Sequence, residues 1–413
     1  MATLLFGSPL PTSGLAKMTH DARISGRFSL ASPRFLHQAL PITRLIPASA
    51  FENHPRRAAA FYCLLFLTPL ACAAFLRPRC LSAVLASWLV LYLAGYELLR
   101  LPDFSWYYGP PAIVLALFLW MALQGAVRFG ANAIRWPGKL VAPVASWTIA
   151  IITLVVVVVG TPLYTTSHSR PDSTHMLAAR WLRQHAARGN TIVAYEVGTI
   201  AYLSGLRTID LLGLTDPGAR VHLREGDFAW AVRDLPTYVF SNERTAWPVS
   251  DAIFKECAFV LNYRPAVRLP FRDDTDYVIY RRAHLEEGEP SGGPWAAEWL
   301  DIYQPTSIRS GLTTAYSLTV RNLSTSPWRA HTPDAPFVTY EWWDEHGRRV
   351  VSEALRTTIP CDVGPGQRAL VSASVRSPEQ PGTYILNWHL VREGSRRFSE
   401  HGMATAVAPV VVY

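Results

Sequence analysis

The chain has 413 residues, of which 50% are hydrophobic and 17% charged, with a formal net charge of +8. The basic balance does not imply nucleic acid, because Arg and Lys are scattered and form no run of the kind that tracks phosphates. The apolar content is uneven: it is concentrated before residue 164 and gives way to about 250 polar-patterned residues, a split that excludes an ordinary water-soluble enzyme and predicts a membrane anchor carrying one or two further domains.

Residues 1–57 read as an extracytoplasmic loop punctuated by Gly and Pro and then a Pro-punctuated amphipathic segment, with no signal-peptide pattern. Four apolar runs follow within 58–163: Ala58 to Leu76, Leu81 to Leu99, Pro111 to Phe129 and Pro143 to Leu163. Each approaches the ~20 helical residues that span a ~30 Å hydrocarbon core, so the reading is four transmembrane helices. Arg77 and Arg79 lie between the first two runs and Arg128, Arg135 and Lys139 between the last two, which places those loops in the cytoplasm and the C-terminal part on the extracytoplasmic side of a cell membrane. The loop Leu101 to Pro111 puts Trp106, Tyr107 and Tyr108 at the interface, where amphipathic aromatics sit.

Beyond the membrane block, Asp172 heads a helix in which Met176, Leu177, Ala179, Leu182 and Ala186 share an apolar face, and Gly189 stops it. Strands are expected at TIVAYE (191–196), RTIDLLGL (207–214), PTYVFS (236–241), CAFVLNYR (257–264) and DYVIYRR (276–282), giving a small α/β domain over 164–282. Glu196 and Asp210 close neighbouring strands, where an open α/β sheet binds ligands, and are the candidate substrate-binding residues here. Asp216, before Pro217-Gly218, reads as a turn former. A Gly, Pro and Glu linker occupies 283–294, and 295–413 alternates apolar and polar residues between turns, the pattern of an immunoglobulin-like β-sandwich.

Several chemistries find no support. No glycine-rich phosphate cradle and no Ser-nucleophile motif occurs. Asp-x-Asp within Asp273 to Asp276 sits where Asp clusters make turns, and His175, His185, His222 and His389 lack ligand spacing, so neither a metal nor a cofactor is expected. Five cysteines show no CxxC spacing, which argues against a disulfide framework but leaves a single Cys257 to Cys361 bridge open. Trp328, Trp342, Trp343 and Trp388 could form a sugar-stacking platform, although Trp342 and Trp343 point to opposite faces of one strand and core packing explains most of the set.

Three stretches resemble known families. Leu5-Phe6-Gly7-Ser8-Pro9-Leu10-Pro11-Thr12 with Ala16-Lys17 is similar to a loop phrase of bacterial GT-C class integral membrane glycosyltransferases, which take sugar from a polyprenyl phosphate carrier. Gly189, Glu196, Gly198, Tyr202, Gly205, Asp210, Leu212-Gly213-Leu214 and Asp216 resemble the small domain closing many of these enzymes. Val320, Asn322, Trp328, Val338, Tyr340, Trp342, Asp344, Gly347, Val363, Pro365-Gly366, Pro381-Gly382, Tyr384 and Leu386 resemble sandwich modules of bacterial cell-surface proteins, in which context the Asn322-Leu323-Ser324 sequon carries no weight.

The resemblance implies the C-terminal part of a glycosyltransferase that modifies a cell-envelope glycan, lipid or protein. Its partners would be the lipid bilayer, a polyprenyl-phosphate sugar held near Trp106, Tyr107 and Tyr108, and a separate N-terminal transmembrane half. That half would supply the catalytic carboxylate, so no catalytic residue is assigned and the chain alone is expected to be inactive. The alternative is a non-catalytic, membrane-anchored surface protein whose sandwich binds glycan or protein.

Overall fold

The computed structural model describes residues 79–98, scattered positions between 110 and 121, and 174–413 apart from 244–246, 271–275, 284–289, 291, 304–305, 351–353 and 393–396. The described residues fall into two compact units, one within His20–Pro171 and the other within Asp172–Tyr413.

In the first unit, helix α1 (Arg79–Leu98) covers the second apolar run. The four-span bundle expected over 58–163 is corrected here: among the described residues no helix is long and apolar enough to cross a membrane. In α1 the apolar stretch is bracketed by Arg79 and Glu97. The residues between them reach only about 25 Å at 1.5 Å per residue, short of the ~30 Å hydrocarbon core. The multi-pass membrane placement falls with the bundle. Residues 1–57, the runs at 58–76 and 143–163, and Trp106, Tyr107 and Tyr108 lie outside the described residues.

The second unit opens with α2 (Thr174–His185), whose face Ala178, Ala179 and Leu182 is buried. Then come β1 (Thr191–Ala194), α3 (Val197–Ser204), β2 (Arg207–Asp210), α4 (Ala219–Glu225), β3 (Tyr238–Asn242), α5 (Pro248–Lys255), α6 (Cys257–Asn262), β4 (Tyr263–Pro270) and β5 (Asp276–Arg282). They build a five-stranded sheet of order β2-β1-β3-β5-β4. β1 runs parallel to both β2 and β3, whereas β5 is antiparallel to β3 and to β4. The chain therefore leaves β1 toward one side and returns through β3 on the other.

Residues 257–262 are a correction. They were expected as strand and form helix α6, which Glu256 caps by accepting a hydrogen bond from the Ala258 N–H. A short apolar run does not distinguish strand from buried helix by its pattern, and here tertiary packing decides: Phe259 and Val260 are wholly buried.

Two further sheets form the sandwich. Strands β6 (Ala297–Ile302), β8 (Thr313–Asn322) and β12 (Arg368–Arg376) make one, in the order β12-β8-β6. The other has the order β10-β9-β13-β14-β7, from β7 (Ser307–Ile308), β9 (Pro336–Asp344), β10 (Arg349–Val350), β13 (Gly382–Arg392) and β14 (Ala406–Val412), with β11 (Thr357–Thr358) pairing β9 at its edge. Trp328, Trp342 and Trp388 are at most 1% exposed and fill the core between the sheets, which removes them from any sugar platform. Trp343 faces outward and is half-buried. Asn322 is also buried, its side chain bonded to the carbonyls of Ser326 and Val363 and to Ser324, so the sequon is a turn anchor.

The α/β sheet and the sandwich share one interior. Val260 of α6 belongs to the sandwich core, and Cys257 of α6 is disulfide-bonded to Cys361, with Cα atoms 5.6 Å apart. A second link lies where β3 ends. Glu243, just past β3, is 3% exposed and accepts hydrogen bonds from Arg268 of β4 and from the backbone N–H (3.0 Å) and hydroxyl of Ser317 in β8. Burial opposes the charge on Arg268, but Glu243 together with Tyr280 and Tyr303 outweighs it and raises the guanidinium pKa. Arg268 also donates to the Ser317 carbonyl at 3.2 Å and stacks over Tyr303.

One side-chain cluster makes the sandwich sensitive to acid. His389 of β13 is 5% exposed and faces Glu341 of β9 at 3.4 Å, while Arg397 donates to the same carboxylate at 2.6 Å and Arg349 at 3.1 Å. Burial, then the nearby Arg397 charge, lower the His389 pKa from its ordinary 6.5 despite the Glu341 carboxylate. A base with a depressed folded-state pKa binds fewer protons folded than unfolded, so stability falls as pH drops below about 6.5 and the loss levels off past the folded-state pKa. Thermal melts at pH 7 and 5.5 should show a larger fall in melting temperature for the wild type than for His389→Gln.

Candidate functional site

In an open α/β sheet, ligands bind beyond the carboxyl ends of the strands where the strand order reverses. Here that point lies between β1 and β3. Glu196, the second residue after β1, stands at the N-cap of α3 but makes no side-chain cap bond, so its carboxylate is left to other partners. Those partners come from distant segments: the His175 Nε2 atom of α2 is in contact with it, and the Tyr277 hydroxyl of β5 donates to it at 3.3 Å. The Glu196 side chain remains about half exposed, at 49%.

Aromatic packing fixes these partners. Phe240 stacks on Tyr277 with ring centroids 4.9 Å apart, and His175 meets both rings edge-on. Tyr195, immediately after β1, packs against Trp247 at 4.3 Å. Burial and then the Glu196 charge push the Tyr277 phenol up to about 12, and burial pushes Tyr195 well above its ordinary value. Both phenols therefore stay protonated near neutral pH and can act as hydrogen-bond donors but not as bases. The two serines at the end of β3 and the start of α5, Ser241 and Ser250, are completely buried and bonded to one another, which withholds them as nucleophiles. Ser250 also donates to the Asn242 side chain at 2.7 Å.

Asp210, the second candidate, is not brought into this crevice. It is wholly buried at the end of β2, where its carboxylate accepts from the backbone N–H groups of Leu212 (3.1 Å), Gly213 (3.1 Å) and Thr215 (2.6 Å) and from the Thr215 hydroxyl (3.0 Å). Burial raises its pKa and these hydrogen bonds only partly oppose that. Its work is to turn the chain out of β2. The turn requires Gly213 at φ +70°, where an added Cβ would meet the Ala219 side chain at 2.9 Å. Asp216 likewise holds a turn, accepting from the Gly218 N–H at 2.9 Å. Asp276 accepts from the Tyr303 hydroxyl at 2.7 Å, and among the described residues no group of His, Cys, Asp and Glu is arranged to hold a metal ion.

His175 and Tyr277 were not distinguished by the sequence. They lie 21 and 81 residues from Glu196 along the chain and meet it only through the fold, and no short-range spacing marks them.

Comparison with known proteins adds a family model described as a domain of unknown function (DUF8728), which matches residues 166–299, less than half of the chain. No curated protein matches the sequence significantly. Among solved structures, the CARDB domain of a Pyrococcus furiosus protein is similar at 16% identity over 28% of this chain and 85% of that one, with a TM-score of 0.18. A PapD-like domain of human CEP192 is similar at 19% identity over 32% of this chain and 92% of that one, with a TM-score of 0.16. A β-glucosidase from Listeria innocua is similar at 13% identity, with a TM-score of 0.19, over 58% of this chain and 33% of that one, so this chain spans about a third of its length. Scores at this level carry no functional argument. The expected membership of the GT-C glycosyltransferases is corrected: the membrane bundle that defines the class has no counterpart among the described residues.

Proposed function

We propose that this chain is a non-catalytic recognition protein that binds a glycan at the crest of β1 and β3, with the sandwich as the rigid mount of the α/β sheet. The observation that carries the reading is the half-exposed Glu196 carboxylate at the strand-order reversal, in contact with His175 and Tyr277. A half-exposed carboxylate oriented by His175 and Tyr277 offers its remaining acceptor sites to the donating hydroxyls of a sugar. Rigid aromatic supports keep the donors in place before the ligand arrives, which lowers the ordering cost of binding.

Of the two readings open from the sequence, this keeps the binding reading and moves the glycan from the sandwich to the α/β sheet, because the sandwich tryptophans are core residues. The test is a thermal-shift panel of neutral trisaccharides, including maltotriose, cellotriose and mannotriose, against wild type and Glu196→Ala. At least one sugar should raise the wild-type melting temperature and leave the variant unmoved. A panel with no effect on the wild type, or an equal effect on both proteins, contradicts the reading.

A further inference from the structure

The opposite end of the same sheet carries a second concavity, independent of the crest. A cavity of ≈ 420 Å³ is walled by Arg264 of β4, Arg281 and Arg282 at the end of β5, and Arg368 at the start of β12, with His185 and Asn190 from the segment between α2 and β1 completing the polar lining. Among the described residues its wall contains four guanidinium groups and no carboxylate. The volume is within the roughly 300–1,000 Å³ typical of small-molecule sites.

The arrangement is costly without an anion. Arg264 and Arg281 are directly opposite one another in the β4–β5 ladder, and like charges in that relation destabilise a sheet. Neither has an acidic partner among the described residues. Arg282 is held in place by donating to the Leu235 carbonyl at 2.7 Å, and Arg368 is about nine-tenths buried. Two of the four positive groups are therefore fixed and two repel each other across adjacent strands.

We propose that this cavity is an anion site for a small molecule bearing a diphosphate or two phosphate groups. Each phosphate monoester carries about −1.5 to −2 charges near neutral pH, so two phosphate groups match four guanidiniums in charge. The planar guanidinium fork pairs with two oxygens of a phosphate at once, which a single lysine ammonium does not do. The cavity exceeds the room that two phosphates alone need, and the remainder takes an organic group.

Isothermal titration of the full chain with inorganic pyrophosphate tests the site. Wild type should bind, and Arg264→Gln/Arg281→Gln should bind at least about tenfold more weakly, since each substitution removes a charge-assisted hydrogen-bonding group. Both side chains are exposed, and relief of their repulsion should leave the unliganded variant's melting temperature equal to or above that of wild type, separating lost binding from lost folding. A second arm with ADP distinguishes the source: tighter binding than pyrophosphate supports an organic diphosphate, and equal binding contradicts a role for the remaining volume. No binding of pyrophosphate by the wild type, equal binding by the variant, or citrate binding as tightly as pyrophosphate overturns the proposal.

Discussion

Glu243→Ala is expected to lower the melting temperature of the folded chain by roughly 10 °C. The substitution leaves Arg268, only 14% exposed, beside an apolar methyl group, and strips the Ser317 N–H and hydroxyl of their acceptor. Breaking a buried ion pair from one side costs about 3–5 kcal/mol, and a unit of this size loses about 2–4 °C per kcal/mol. The Tyr280 hydroxyl, 2.8 Å from the Ser317 hydroxyl and 3.4 Å from the carboxylate, does not replace the lost charge, because its complete burial pushes its pKa upward and keeps it neutral in the variant as well. Glu243→Ala combined with Arg268→Met should recover much of the loss, since well-packed apolar replacements for a buried pair are often neutral or better. Thermal melts of the wild type, the single variant and the double variant check this; equal loss in the single and double variants would mean that the network matters for shape and not for charge.

The second large effect is expected at the Cys257–Cys361 bridge. Its cysteines are 104 residues apart in sequence and join α6 to the sandwich. In the chain-entropy account a closed loop of about 100 residues contributes about 4–5 kcal/mol by restricting the unfolded chain. Reduction, or Cys257→Ser with Cys361→Ser, should therefore lower the melting temperature by roughly 10 °C. The double serine variant should then be indifferent to reductant, and a wild type equally indifferent would show that the bridge contributes nothing to stability. Such a bond persists only in an oxidising environment, so the protein's stability follows the redox state around it.

Local pattern carried much of the fold's reading beyond residue 172. The amphipathic run headed by Asp172 forms α2, with Gly189 at φ +92° in the turn that follows. The β-branched and aromatic runs TIVA, RTID, YVFSN and DYVIYRR are strands, because such residues fit a pleated buried surface. The region 207–214 was read as a longer strand than forms. The carboxylate of Asp210 captures the following backbone N–H groups and ends β2, a local hydrogen bond that competes with the ladder. The expected strand ends at Arg264, whereas β4 runs on to Pro270, with an irregularity in register between Pro265 and Val267.

What was hidden lies in pairings between remote segments. Glu196 could be named because it ends a strand, but its contacts with His175 and Tyr277 depend on how α2 and β5 pack. The arginines were read as scattered, which is true along the chain. Arg264, Arg281, Arg282 and Arg368 gather only when β4, β5 and β12 take their places. The expectation of a membrane bundle fails on a local feature: Arg79 and Glu97 bracket the apolar stretch of α1.

The central structural claim is that the α/β sheet and the sandwich are one cooperative body joined through Glu243, Arg268 and Ser317. Native-state hydrogen exchange of the Tyr280 and Leu318 backbone amides, on β5 and β8 respectively, tests it most directly. Both amides should open with the same free energy in the wild type, and both should fall by the same amount in Glu243→Ala. If Tyr280 is weakened while Leu318 keeps its wild-type protection, the two sheets unfold separately and the claim is wrong.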